Sequence, residues 1–212
     1  MTSAAIKPKL TFEEYIDFCA QTEERYELVR GELIQMNPPI VLHYRIAKLL
    51  EQVLDAAIAQ QFKDEQWETF CEAGQRTEDD SSRLPDVAIV SRAEADALLD
   101  QTAVFQAPSL LVVEIVSPSS ASEDYSDKLK EYEALKVPEY WVVDPQGLGA
   151  AKYIGFPKQP TVSVYRLVNG KYTLLDDNGQ PQRFRGSDRI ESPTFPALDL
   201  TTAQLFQGRR SP

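Results

Sequence analysis

Apolar residues recur every three or four positions through one long stretch of the chain, 41–60. That spacing gathers them on one side of an α-helix and predicts an amphipathic helix. Strands are predicted at 67–75 and at the nearly unbroken apolar runs 84–90, 109–116 and 140–143. A second helical pattern, 124–136, comes before the last strand and is ended by Val137-Pro138. The predicted core order is therefore helix, strand, strand, strand, helix, strand.

Further elements are predicted before this core. Thr11-Phe12-Glu13-Glu14 is a capping-box pattern, which predicts the start of a helix that runs to about Cys19. The stretch 26–36 then has the pattern of two short strands around a turn at Gly31. We expect these elements to cover the core from its N-terminal side.

Three more local patterns complete the prediction. The run 77–82 has the composition of a polar loop, and a second capping-box pattern at 91–94 predicts a short surface helix. Near the C-terminus, Asn169-Gly170 separates two strand-like runs, 162–167 and 172–175. This dipeptide favours the type I′ turn of a β-hairpin.

These elements predict an α/β fold, more closely an α+β domain with one central mixed sheet flanked by helices. With 212 residues and 42% hydrophobic content, the chain can bury one substantial core. We expect a single domain, 1–212, with its core at about 41–145. The segment 1–40 would supply the N-terminal helix and hairpin, and 146–212 would form a C-terminal β extension.

Composition narrows the classes of function. The formal net charge of −11 opposes diffuse binding to nucleic acid or anionic lipid, so any nucleic-acid site must be local or assisted by a metal. Two cysteines and one histidine are too few for a structural zinc site, and they fit a reducing compartment. No run has the length of a signal peptide or a membrane span. We expect a cytoplasmic protein with no membrane partner.

Two carboxylates stand in or beside the predicted buried strands. Asp86 follows Pro85 at the start of one apolar run, and Glu114 lies within the next. A buried carboxylate costs several kcal/mol unless it is paired or binds a metal. Ordinary alternatives exist, since Asp86 could form a strand-entry turn and Glu114 could accept backbone N–H groups.

A lysine on the second core helix is a candidate partner for these acids. On a helical wheel Lys128 falls inside the apolar arc that contains Tyr125, Leu129 and Tyr132, so it should face the sheet. The alternative is that its methylenes lie along the apolar face while the amine reaches water.

Together these three residues match the needs of metal-assisted phosphodiester hydrolysis. Mg²⁺ prefers oxygen ligands and keeps several waters, so two carboxylates and a backbone carbonyl are enough to hold it. The metal would activate a water and neutralise phosphate charge, and a lysine ammonium can orient that water.

The chain resembles the Uma-two family, a domain of unknown function that has been assigned to the PD-(D/E)xK nuclease superfamily and described as candidate restriction endonucleases. The resemblance extends over most of the chain. It is carried by LTFEEY at 10–15, YELVRGE at 26–32, His43, Pro85-Asp86, VEIVSP at 113–118, Asp124, Lys128, Tyr132 and VPEYWVVDP at 137–145.

The resemblance implies a restriction-endonuclease-like fold and a Mg²⁺ or Mn²⁺ site that acts on DNA. Asp86 and Glu114 match the metal-binding acids, and the carbonyl of Ile115 would be a further ligand. Val116 stands where the superfamily usually has lysine. In this family a helix lysine takes over that role, and Lys128 matches it. By analogy with related nucleases, which cut two strands with two sites, we expect a homodimer.

Two residues are candidates for supporting roles. His43 lies on the apolar face of the first core helix, where a lone histidine is more often a hydrogen-bonded core residue. Glu32 shares a predicted strand face with Ile34 and Met36, so it could point toward the site as a third acid. An exposed hairpin position is its ordinary alternative, and the role of Glu27 is left open.

Three other functions are alternatives to the nuclease. A serine hydrolase built on Ser117 is disfavoured, because the chain has no Gly-x-Ser-x-Gly motif. A glycosidase with Asp86 and Glu114 as its two carboxylates stays open on residue type, although no aromatic-rich platform lies near either acid. The acidic charge favours another alternative, a catalytically silent binding or assembly module with a nuclease fold.

Overall fold

The structure is a computed structural model that describes residues 9–62 and 66–208. Its helices are α1 (Phe12–Cys19), α2 (Val41–Gln61), α3 (Arg92–Ala97), α4 (Ala121–Asp124), α5 (Asp127–Leu135), α6 (Ala151–Ile154) and α7 (Thr202–Gln207). Its strands are β1 (Tyr26–Val29), β2 (Glu32–Gln35), β3 (Trp67–Phe70), β4 (Gly74–Glu78), β5 (Ser81–Arg83), β6 (Val87–Ser91), β7 (Val104–Phe105), β8 (Leu111–Ile115), β9 (Glu139–Asp144), β10 (Thr161–Val168), β11 (Lys171–Thr173) and β12 (Arg183–Phe184). Residues 1–8, where the sequence has no signal-peptide pattern, lie outside this description.

The predicted α/β class and its core order are confirmed. The core elements occur along the chain in the expected order, α2, β3, β6, β8, α5 and β9, with shorter elements between some of them. The core strands belong to a sheet with the order β11-β10-β9-β8-β6-β3. β8 and β9 run parallel, while β6 pairs with β8 antiparallel, so the sheet is mixed. Because successive side chains on a strand alternate between faces, one face packs on α2 and the other on α5.

The sequence did not predict the second sheet, whose strand order is β2-β1-β5-β4-β7. The predicted polar loop at 77–82 is wrong, since β4 and β5 form a hairpin there. Ser81 is buried in this hairpin, and its hydroxyl accepts a hydrogen bond from the Arg30 backbone N–H at 3.0 Å. A hydrogen bond from Arg30, which is distant in the sequence, thus allows the polar residue Ser81 to be buried in a strand.

Two predicted boundaries also change. The predicted strand 67–75 divides into β3 and β4 at Glu72, whose φ of 56° turns the chain from one sheet to the other. The predicted helix 124–136 divides into α4 and α5 around Tyr125 and Ser126. There the Ser126 hydroxyl donates to the Ser122 carbonyl at 2.5 Å, a local bond that competes with continuous helix.

The elements that flank the core follow local signals in the sequence. The capping box of α1 is formed, with Glu14 N–H donating to the Thr11 hydroxyl at 3.2 Å. Ser91 precedes α3 without a side-chain capping bond, so the second predicted box does not form. Asn169-Gly170 makes the expected turn between β10 and β11. The C-terminal extension also carries α6 and α7, which were not predicted. In the described ranges, no helix has the length and apolar character needed to cross a membrane.

Candidate functional site

Adjacent antiparallel strands bring Asp86 and Glu114 to the same end of the larger sheet. Val87 of β6 lies opposite Val113 of β8, so Asp86, just before β6, and Glu114, next after Val113, stand at the same end of this strand pair. Both residues line a cleft of about 240 Å³, together with His43, Ile115 and Lys128. The cleft therefore gathers every candidate of the predicted site except Glu32.

The carboxylate of Asp86 is held from two sides. One oxygen lies 2.7 Å from Nε2 of His43, in the first turn of α2, and the other accepts the backbone N–H of Ile115 at 2.6 Å. The Asp86 side chain is 16% exposed, so it is open to the cleft. These contacts fix the carboxylate and leave lone pairs on both oxygens for another ligand.

Glu114 is deeply buried and faces α5. Its Oε1 accepts the hydroxyl of Tyr132 at 2.7 Å, and its Oε2 accepts the amine of Lys128 at 2.9 Å. Burial raises the pKa of Glu114 well above its ordinary value, nearby Asp124 and Asp86 raise it further, and Lys128 opposes them. Burial and the neighbouring acids thus favour the protonated form of Glu114, and Lys128 favours its charged form.

Lys128 lies on the sheet-facing side of α5, where the helical wheel placed it, and is 2% exposed. Three carboxylates surround its amine: Glu114 at 2.9 Å, Asp124 at 3.3 Å and Glu27 at 3.4 Å. Burial alone would lower the pKa of Lys128, but these acids together hold it well above its ordinary value. Lys128 is thus a fixed ammonium and is unsuited to act as a base.

A larger buried charge cluster extends from Lys128 into the smaller sheet. Arg83 of β5 makes a bidentate contact with Glu131 of α5, at 2.5 and 2.8 Å, and reaches Glu27 of β1 at 3.0 Å. Glu27 in turn contacts Lys128, and its pKa is lowered because Lys128 and Arg83 outweigh the effect of burial. The cluster holds four carboxylates against two cations: Glu27, Glu114, Asp124 and Glu131 against Arg83 and Lys128.

The sequence analysis assigned no role to Asp124 or Glu27, two of the three acids around Lys128. Asp124 lies four residues before Lys128, so helical spacing was a signal that could have found it. Glu27 and Arg83 come together from distant parts of the chain, and no local pattern indicates their contact. The acid of the N-terminal hairpin that reaches the site is Glu27. Glu32 lies at the turn end of the edge strand β2 and is exposed.

The oxygen donors of the cleft would fit a hard divalent cation that takes few ligands from the protein. No group of three or more His, Cys, Asp and Glu side chains is arranged to hold a metal within 9–62 and 66–208. The oxygen donors expected from the sequence are Asp86, Glu114 and the Ile115 carbonyl, a number that would suit Mg²⁺ with its retained waters. The four carboxylates of the buried charge cluster exceed its two cations, an excess that protons or a bound cation would neutralise.

Comparison with known proteins agrees with the fold. Residues 12–203 match the model of the Uma2 family, described as "Putative restriction endonuclease". An uncharacterized protein of Synechocystis sp. is 28% identical over 138 residues, which is 64% of this chain and 75% of that protein. The crystal structure of a protein from Anabaena variabilis, titled a "putative nuclease belonging to DUF820", superposes with a TM-score of 0.63 at 18% identity. That match covers 91% of this chain and 97% of the other.

Proposed function

The chain belongs to the Uma2 family, and from this premise we propose that it is a Mg²⁺- or Mn²⁺-dependent endonuclease that hydrolyses DNA phosphodiester bonds. The observation that carries the proposal is the placement of Asp86 and Glu114 at one end of adjacent strands, in one cleft with a buried ammonium. An acidic pair with a nearby cation is the arrangement that metal-assisted phosphoryl chemistry uses.

Asp86 and Glu114 are the proposed metal-binding acids, with the Ile115 carbonyl as the further ligand. When bound, the divalent cation supplies a Lewis acid that activates water and neutralises charge on the phosphate. His43 and the Ile115 N–H keep the Asp86 carboxylate in one orientation. Tyr132 and Lys128 do the same for Glu114. Loss of a residue that orients a metal ligand commonly lowers metal affinity or activity by about 10- to 100-fold.

Lys128 acts first as a fixed positive charge. Its three N–H donors face three carboxylates, so a water or phosphate oxygen reaches the amine only by replacing the longer contact to Glu27 or Asp124. In a buried site an ammonium interacts strongly with developing negative charge. We propose that Lys128 stabilises the transition state from this position.

The test is cleavage of plasmid and branched DNA in Mg²⁺, Mn²⁺, Ca²⁺ and EDTA. We expect the wild type to cut in Mg²⁺ or Mn²⁺, and Asp86→Asn and Glu114→Gln to lose at least about 100-fold, as loss of a group acting in the transition state does. Asp177→Asn is the matched control, because Asp177 is an exposed carboxylate paired with Arg166, away from the cleft.

A catalytically silent binding module is the alternative that this assay separates. Its supporting observation is that the carboxylates of the buried charge cluster already have partners in the protein. Absence of cutting with every metal, or equal cutting by wild type and both carboxylate variants, would exclude the nuclease. Since cutting both strands of a duplex usually needs two sites, we further propose that the active form is a homodimer.

A further inference from the structure

The cleft offers very few positive charges to a nucleic acid. Among the described residues that line it, the cations are Arg25 and Lys128. Lys128 is 2% exposed and surrounded by carboxylates, whereas the Arg25 side chain is one-third exposed at the cleft. Asp86 and Glu114 make the rest of the site acidic. An incoming phosphate therefore has Arg25 as its accessible partner.

Arg25 is fixed in place by its backbone and held by one side chain. It directly precedes β1, and its carbonyl accepts the backbone N–H of Met36 at 2.9 Å, which closes the end of the β1–β2 hairpin. Its guanidinium forms an ion pair with Glu72, whose side chain is also about one-third exposed. This pair joins the hairpin to the point where the chain passes between the two sheets.

Glu72 occupies an unusual position for its residue type. Its φ of 56° lies in the left-handed region, which glycine or asparagine adopts far more readily. Its N–H donates to the carbonyl of Pro85 at 3.1 Å, beside Asp86. Strained residues of this kind concentrate at functional sites. The turn thus holds a carboxylate against Arg25 at the edge of the cleft.

The Arg25–Glu72 ion pair can be replaced by a contact between Arg25 and a phosphate. A partly exposed ion pair contributes little, because water screens it and two long side chains must be ordered. A phosphate offers the guanidinium a bidentate, charge-assisted contact that competes well with one carboxylate. Substrate can therefore replace Glu72 at small cost.

We propose that Arg25 is the phosphate-contacting residue of the cleft, and that Glu72 occupies its guanidinium until a phosphate of the substrate strand displaces it. The ligand class is a phosphodiester of a nucleic-acid strand. This inference rests on the proposed function, but its test measures binding separately from cutting.

The experiment measures binding of a labelled single-stranded oligonucleotide by fluorescence anisotropy, in Ca²⁺ without Mg²⁺ or Mn²⁺, over a range of salt concentrations. Arg25→Ala should weaken binding about 10- to 100-fold, the loss expected for one charge-assisted contact. It should also reduce the slope of log K against log salt by about 0.7, the contribution of one phosphate on a single strand. Glu72→Gln should tighten binding by about two- to fivefold, because the guanidinium is no longer engaged.

Opposite signs for the two variants distinguish phosphate contact from a structural ion pair. Arg166→Ala and Asp177→Asn form the matched control, since they remove a surface pair away from the cleft, and should leave affinity unchanged. If Arg25→Ala fails to fold, Glu72→Gln still tests the proposal, because it keeps the guanidinium.

The results distinguish failure of the Arg25 contact from failure of the proposed nuclease activity. Binding with the predicted signs but no cleavage in any metal would support the Arg25 contact and overturn the nuclease. Cleavage by the wild type with unchanged or equally weakened binding in both variants would overturn the Arg25 contact alone. Absence of oligonucleotide binding by the wild type would also overturn it.

Discussion

Replacing Lys128 with methionine should destabilise the protein strongly, because three buried carboxylates would lose their shared cation. The amine lies 2.9 to 3.4 Å from Glu114, Asp124 and Glu27, and each of these four side chains is at most 3% exposed. Removing one partner from a buried ion pair typically costs about 3–5 kcal/mol. In a chain of this size, 1 kcal/mol lowers Tm by about 2–4 °C, so the expected loss is about 6–20 °C.

The loss of stability in Lys128→Met should depend on pH through the pKa of Glu114. Lys128 opposes the burial that raises the pKa of Glu114, so its removal raises that pKa further. When the folded-state pKa lies above the unfolded-state pKa, the folded state binds more protons than the unfolded state between those two values. Stability therefore falls as pH rises through that range. The deficit of Lys128→Met should therefore be largest near pH 7 and shrink toward pH 5.

Thermal denaturation at several pH values tests this, with two further variants. Lys130→Met is the matched control, since Lys130 lies two residues away on α5, is 74% exposed and pairs with Asp127 at the surface. It should cost at most about 1 kcal/mol. Adding Glu114→Gln to Lys128→Met should recover stability without restoring cleavage. Equal melting of Lys128→Met and Lys130→Met would refute the buried-charge reasoning.

The roles of His43 and Glu27 and the oligomeric state of the protein can each be tested separately. His43→Ala should lower the kcat of cleavage about 10- to 100-fold, because the His43 ring positions the Asp86 carboxylate. Thermal melting should show little change in Tm. Glu27→Gln should lower cleavage, whereas Glu32→Gln from the same hairpin should match the wild type, since Glu27 contacts Lys128 and Glu32 is exposed. Light scattering should give twice the chain mass of 23.9 kDa if the proposed homodimer forms, and a single chain mass would reject it.

The sequence predicted those parts of the fold that depend on local patterns. Apolar periodicity predicted α2, and nearly unbroken apolar runs predicted the buried strands β6, β8 and β9; tertiary packing reinforces both patterns. The position of Lys128 followed from the helical wheel, because one turn of helix fixes which side chains share a face. Antiparallel pairing of neighbouring strands then placed Asp86 beside Glu114.

The parts that depend on long-range pairing could not be predicted in this way. β4 and β5 are polar in sequence and become buried strands because β1 pairs with β5 and α5 supplies an ion-pair partner. Glu27 joins the site through a contact with Lys128, 101 positions away in the chain, which is why Glu32 was as plausible from sequence alone. Burial of charge is decided by partners, and one sequence does not show which partners meet.

The most direct test of the central claim is an anomalous-difference map from crystals of the full chain grown with Mn²⁺. We expect one ion between Asp86 and Glu114, bound by an oxygen of each and by the Ile115 carbonyl, at about the 2.0–2.2 Å expected for a small divalent cation on oxygen. Glu114→Gln should abolish that peak. Absence of density between these two carboxylates in crystals grown at saturating Mn²⁺, or an ion bound elsewhere, would exclude this metal site.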